Sequence, residues 1–292
     1  MILTCNMKSI RAPIFCHCLA VLFLPGCGQT TAPSPASVPV TPEPVLANTA
    51  LSVSGIGTPP GYTRGSIPAT DFGYYLKQLK LKSGHTVFLF NGTPKANQQA
   101  QYAVLDISVG KKDLQQCADA VMRLRAEYLF KKKRFEQIRF YAGDGTWISY
   151  DGWLKGTRYK LSGNRLVTIR SNPAPPTHAS LLQYLDVVFS YCGTATLPAS
   201  LYKKPIAAMQ PGDVLLKPGA PGHAVIVIDM AQNKKGEKIY LLAQSYMPAQ
   251  DIHILKNPSG RHSGPWYLLK NSALSIQTPE WTFYSDQLYG WK

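Results

Sequence analysis

The chain has 292 residues, 45% of them hydrophobic and 11% aromatic, which is enough for a sizeable core and too apolar for a disordered chain. Lys and Arg number 31 against 16 Asp and Glu, a formal charge of +15, suited to anionic surroundings such as phospholipid headgroups or envelope polymers. The basic residues are scattered apart from Lys131-Lys132-Lys133-Arg134 and no nucleic-acid motif accompanies them, so nucleic-acid binding has no support and a solvated basic surface is the plainer reading.

Lys8 and Arg11 precede the apolar run Leu19 to Leu24, which stops at Pro25-Gly26-Cys27. This has the form of a bacterial export signal over residues 1–26, read from Met1 or, more naturally, from Met7. The run is too short to span a bilayer. Leu24-Pro25-Gly26-Cys27 resembles a lipobox, with Pro25 as a departure. The resemblance implies lipidation of Cys27, and Gly28 after it implies the outer membrane where a cell has two. An ordinary secretory signal cut nearby is the alternative. Residues 27–50 are rich in Pro, Ser, Thr and Ala, a composition that buries no core and forms an extended tether. The expectation is a lipid anchor holding an exported domain at the cell envelope.

Residues 51–292 read as a single domain. Thr86 to Phe90 reads as a strand turned at Asn91-Gly92, with Tyr102 to Val109 as its partner. A helix is predicted from Asp113 to about Lys131, with Asp113 as N-cap and a face of Leu114, Cys117, Val121, Leu124 and Tyr128. Gln137 to Tyr141 and Leu166 to Arg170 read as strands. Thr177 caps a second helix from His178 to about Tyr191. The last third is mostly strand: Asp213 to Leu216, Ala224 to Ile228, Lys238 to Ala243, Ile252 to Leu255 and Trp281 to Tyr284. The pattern is α+β, with helices packed on a mostly antiparallel C-terminal sheet.

Four of the six cysteines lie in the first 27 residues, leaving Cys117 and Cys192 in the domain. These two can pair, stay as thiols or react, and spacing does not choose among them. Cys117 has two readings. It is a small buried packing residue, or it is a nucleophile whose thiolate is favoured by a helix N-terminus. Cys192 falls at a helix C-terminus, the wrong end of the dipole for a thiolate. His223 opens an apolar strand and Gln244 closes the next. Cysteine hydrolases need a thiolate, a histidine that takes and returns its proton, and a polar group that orients the imidazole. His253 alternates with Ile252 and Ile254, and faces either the same edge as His223 or water. Two histidines without a third ligand do not make a metal site. No nucleotide or zinc motif occurs, so no metal and no cofactor are expected. Ser245 lacks the elbow that exposes a catalytic serine.

The chain order Cys117, His223, Gln244 resembles that of papain-like and NlpC/P60-like hydrolases. Gly222-His223-Ala224-Val225 is similar to the papain histidine strand, Ala243-Gln244-Ser245-Tyr246 to its Asn-Ser-Trp, and Gly212-Asp213-Val214 with Gly222-His223 to the G-D…G-H of NlpC/P60 proteins. The local signature around their cysteine is absent. What these resemblances imply is a papain/NlpC-P60-like fold, Cys117 as nucleophile, His223 as general base and acid, and Gln244 as orienter or oxyanion donor. Gln115 or Gln116 stands near the cysteine as a further oxyanion donor. Gln116, Ser245, Tyr246 and Trp153 are the expected substrate contacts.

Leu114 to Ala120, Arg123 to Tyr128, Pro221 to Val225 and Leu242 to Gln250 resemble the bacterial family catalogued as domain of unknown function 4846, over residues 55–291. That resemblance implies export, often as a lipoprotein, and no particular activity. The expected function is a cell-envelope cysteine hydrolase acting on amide bonds, with peptidoglycan peptides as the substrate class. A non-catalytic envelope module binding glycan or peptide, or a scaffold lipoprotein, is the alternative. Trp147, Trp153 and Trp266 favour the binding module.

Overall fold

His223 to Asn233 and Lys238 to Gln244 are dominated by Val, Ile, Leu and Ala with almost no polar alternation, the composition of strands covered on both faces. They form the centre of a large antiparallel sheet. The structure, a computed structural model, describes residues 51–259, 264–272 and 274–292. The expected export signal, lipidated Cys27 and the tether lie outside the described residues.

The strands in chain order are β1 (Tyr62–Thr63), β2 (Gln101–Val104), β3 (Arg139–Tyr141), β4 (Trp147–Ser149), β5 (Thr157–Ser162), β6 (Arg165–Arg170), β7 (Leu201–Lys203) and β8 (Val214–Lys217). They continue as β9 (His223–Asn233), β10 (Lys238–Gln244), β11 (His253–Leu255), β12 (Tyr267–Leu268), β13 (Ser275–Gln277), β14 (Thr282–Tyr284) and β15 (Leu288–Trp291). The helices are α1 (Phe72–Lys77), α2 (Cys117–Lys131), α3 (Tyr150–Leu154) and α4 (His178–Tyr191). The main sheet runs β2-β11-β10-β9-β8-β15-β7, with β1 beside β9 and β12 beside β10. Its pairings are antiparallel. The described residues thus form an α+β fold with one large antiparallel sheet and few helices.

Successive residues of a strand face opposite sides. On β9, Ala224, Ile226 and Ile228 enter the larger core beneath α1, α2 and α4, while Val225 and Val227 enter a smaller core on the other face. On β10, Ile239, Leu241 and Ala243 join the larger core, and Tyr240 and Leu242 the smaller. Both faces are dry, which is why these strands lack a polar stripe.

Two expectations need correction. The helix predicted from Asp113 begins at Cys117, with Gln116 as N-cap. Asp119 Oδ2 accepts from the Gln116 backbone N–H at 3.0 Å, while Asp113 Oδ1 accepts from the Ala249 N–H at 2.6 Å. Asp113 ties the loop after β10 to the helix start and does not cap the helix. Thr86 to Phe90 does not pair with Tyr102 to Val109; it makes only isolated bridges, Phe88 to Pro94 and Leu89 to Gln250, and β2 pairs with β11 instead. Leu166 to Arg170 does form a strand, within β6, and its partner is β5. The α4 helix starts where its cap predicts, with the Thr177 side chain accepting from the Ser180 N–H.

Candidate active site

The last residue of β10 and the first of β9 lie on adjacent antiparallel strands, so the ends of the two apolar runs meet at one sheet edge. His223 Nε2 and Gln244 Oε1 are 2.9 Å apart there, both buried. Gln244 Nε2 donates to Glu280 Oε2 at 2.8 Å, and Lys95 Nζ pairs with the same oxygen at 2.7 Å. His253 stands opposite Gln244 across the β10–β11 ladder, with its Nε2 3.4 Å from Gln244 Nε2 and its Nδ1 2.9 Å from the Asp251 carbonyl.

This chain of contacts sets every proton. A carboxylate only accepts, so Glu280, which pairs with Lys95, takes the NH₂ end of Gln244. The amide oxygen must then face His223, and an oxygen acceptor requires Nε2 of His223 to carry the hydrogen. Nδ1 is left with its lone pair and is the basic nitrogen. By the same logic His253 donates from Nδ1 to Asp251 and accepts at Nε2.

Cys117, at the first position of α2, lines a cavity of about 440 Å³ together with Gln116, His223, Tyr246, Trp281 and Thr194. The backbone N–H groups of Ala118, of Cys117 itself and of Ala224, next to His223, all approach its sulfur. The nucleophile candidate therefore comes from the helix layer and the imidazole from the sheet, and they meet where β9 begins. Burial nevertheless pushes the Cys117 thiol up, with the nearby Asp119 adding to the rise, and outweighs the N–H groups that favour the thiolate. Of the two readings of Cys117, this rise goes with the small buried residue and not with a thiolate favoured by the helix N-terminus. Burial pushes His223 down to about 4, against the pull of Gln244 and Glu280. The resting pair at neutral pH is a thiol beside a neutral imidazole.

The profile of the family described as "Domain of unknown function (4846)" matches residues 53–289. The chain belongs to that family. The comparison with curated proteins and that with solved structures each return no significant match. In this member of family 4846, Gln116 and Tyr246 line the cavity, and the Tyr246 ring packs 4.8 Å from that of His223. Two other expected contacts are not brought there. Ser245 is fully buried and its hydroxyl lies 2.9 Å from the Gln115 carbonyl and 2.8 Å from that of Gln250, so it ties the α2 entry to the sheet. Trp153 is buried beside Tyr184 with the Arg158 guanidinium 3.8 Å over its ring, in the core away from the cavity lining. Gln115 is buried behind the helix, where its Oε1 accepts from Arg123. Asp213, part of the G-D…G-H resemblance, pairs with Lys204 at 2.6 Å and has a structural place. Trp266 is buried, its Nε1 donating to the Gly57 carbonyl.

Sequence reading missed Glu280, Lys95, Asp119 and Trp281. Glu280-Trp281 stands just before β14, and an acid followed by an aromatic at a strand start was the one available signal. Asp119 is buried, its carboxyl pushed up to about 8 by burial, and its Oδ1 has no partner. It stands at neutral pH as a protonated acid lining the cavity. Among the described residues, no three His, Cys, Asp or Glu side chains converge where a metal ion could be held.

Two expected results follow from this geometry. A Cβ on Gly222 would overlap the Gly219 carbonyl oxygen and lie 2.5 Å from Thr194 Oγ1 and 2.8 Å from the Lys217 carbonyl. Gly222→Ala should therefore shift the turn that delivers His223 and cost about 1–3 kcal/mol, as overpacking does, read by urea unfolding; unchanged stability would mean the turn yields freely. Secondly, two of the six histidine rings, His223 and His253, should titrate near pH 4 by ring-carbon NMR. The unfolded chain takes up those protons from about pH 6.5 downward while the folded chain does not. Their share of stability is therefore whole above 6.5 and is lost as pH falls toward 4. A His223 midpoint at 6.5 would place its ring in water.

Proposed function

We propose that the protein is an envelope lipoprotein, anchored through Cys27, whose domain is a cysteine hydrolase of the papain or NlpC/P60 kind. Its substrates are amide bonds, with peptidoglycan peptides as the class. One observation carries the reading: Glu280, by accepting from Gln244, leaves Nδ1 as the basic nitrogen of His223, a residue that lines the same cavity as Cys117. A buried histidine needed only for packing has no use for a three-residue relay that sets its tautomer.

In this mechanism Cys117 Sγ attacks the amide carbonyl carbon while His223 Nδ1 takes the thiol proton. The imidazolium that forms is stabilised by Gln244 Oε1, itself oriented by Glu280. In this reading the Cys117 backbone N–H and the Gln116 side-chain amide donate to the oxyanion. Gln244 has both amide hydrogens engaged, by Glu280 and His253, so its part is orientation. The C–N bond then breaks as His223 returns its proton to the leaving amine, leaving a thioester. Water, deprotonated at Nδ1, cleaves the S–C bond and restores the thiol.

The raised Cys117 thiol is the observation that favours the second reading, a non-catalytic module using the cavity to bind. Incubation with purified peptidoglycan separates the two, comparing wild type, Cys117→Ala and His223→Ala by the mass of released peptides. Release by wild type alone supports the hydrolase. Equal release from all three, or none from wild type, overturns it.

A further inference from the structure

Two turns along α2 from Cys117, a second cavity opens that has no part in the proposed hydrolysis. It measures about 440 Å³ and is lined by Arg125, Arg139, Trp147, Ser200, Trp291 and Lys292, among others. The separation of eight residues from Cys117 to Arg125 is about 12 Å along a helix.

Arg125 is half-buried on the helix. Its guanidinium lies 5.2 Å from the Phe72 ring, 5.3 Å from Tyr128 and 5.2 Å from Trp291. These rings serve its planar faces by cation–π contact. They leave its five N–H groups, which point outward in the guanidinium plane, without acceptors. Among the described residues no carboxylate pairs with Arg125 or with Arg139, and neither guanidinium makes a hydrogen bond. This contrasts with Arg64, Lys82, Lys95 and Lys204, each of which is matched to a carboxylate. Arg139 stands 5.1 Å over the Trp147 ring, which is 38% exposed and so offers apolar surface at the mouth. Ser200 also borders the cavity, although its own hydroxyl is buried and without a hydrogen-bond partner. Glu136 is the single acid in the lining, and it is exposed and outside ion-pair distance of the cations.

Two unmatched guanidiniums and an exposed indole around a space of this size fit one ligand chemistry. The half-buried Arg125 and the exposed Arg139 suit an anion, and the indole suits a flat apolar face. We propose that this cavity is a binding site for an anionic saccharide, a pyranose carrying a carboxylate or phosphate, with Arg125 and Arg139 taking the charge and Trp147 the ring. The site is independent of the hydrolase reading.

The test is titration of the full domain by calorimetry, with tryptophan fluorescence in parallel. The probes are N-acetylmuramic acid against N-acetylglucosamine, which differ in one lactyl carboxylate, glucuronic acid against glucose, and inorganic phosphate alone. The acidic sugars should bind saturably and at least tenfold more tightly than their neutral partners. Arg139→Gln should weaken that binding at least fivefold with an unchanged melting temperature. Arg125→Gln should weaken it further, and circular dichroism will show whether α2 survives loss of its ring contacts. The Arg139 variant keeps the test sound if Arg125→Gln unfolds. Measuring Cys117→Ala as well separates this site from the other cavity: binding retained there stands whatever becomes of the hydrolase. Equal binding of acid and neutral sugars, no saturable binding, indifference to Arg139→Gln, or inorganic phosphate as strong as the sugars would each overturn the proposal.

Discussion

Cys117→Ser is expected to lower the rate of peptide release by about a thousandfold or more while leaving the fold intact, as loss of a nucleophile from a catalytic unit does. Serine is nearly isosteric and keeps the N–H contacts, but its hydroxyl is a far weaker acid than a thiol, and His223 is a weak base. His223→Ala should cost a similar factor. In the proposed reaction the two act as one unit, so the double variant should be scarcely slower than the worse single. The pH profile gives an independent reading. With His223 near 4 and the thiol raised by burial, the competent form, neutral imidazole beside thiol, persists from about pH 5 upward, so the acid limb of kcat/KM should lie near 4. An acid limb near 6.5 would mean a hydrated His223 and a different site architecture. Iodoacetamide labelling of Cys117 should accelerate with pH to beyond 9, the ordinary value from which the thiol is raised. A plateau already at pH 7 would show a thiolate that the cavity does not favour.

Glu280→Gln is expected to damage activity and stability by two separable routes. Glu280 is the acceptor that holds the Gln244 amide in one orientation. A glutamine there can donate as well as accept, so the Gln244 amide is free to turn its NH₂ toward His223. That places the hydrogen on Nδ1, the nitrogen that must take the Cys117 proton, and the wrong tautomer costs about 10²–10⁴ in rate. The second route runs through Lys95, whose side chain is 8% exposed and whose pairing partner is Glu280. Removing the carboxylate strands a buried cation, typically at about 3–5 kcal/mol. Burial already lowers the Lys95 ammonium pKa, and only Glu280 holds it up. Adding Lys95→Met should therefore restore most of the stability in urea unfolding and little of the rate. If the double variant regains full activity, Glu280 serves the fold alone and the relay to His223 has no catalytic part.

Much of the site was legible because its residues sit at the ends of regular elements. His223 follows a glycine and precedes an apolar run, Gln244 closes one, and Cys117 lies where a helix begins. The partners that make the arrangement chemical were not legible. Glu280 meets Lys95 across 185 positions of chain, and neither residue carries a local pattern that announces the other. Trp153 illustrates the converse error: an exposed-looking aromatic segment supplies a core residue there, while the neighbouring Trp147 is the one left at a cavity mouth. The Asp113 cap failed for a related reason. Asp is a good cap wherever a helix starts, but a backbone N–H of Ala249, 136 residues away, claimed its side chain.

By itself the sequence determined the α+β composition, the α4 helix with its Thr177 cap, the apolar central strands, and which residues stand at their ends. Those features depend on periodicity and capping, which act over a few residues. Only the tertiary structure decided that Cys117 and His223 share a cavity, which nitrogen of His223 is basic, and that both groups rest neutral. Desolvation and long-range carboxylate partners govern protonation, and both exist only once distant segments are packed together.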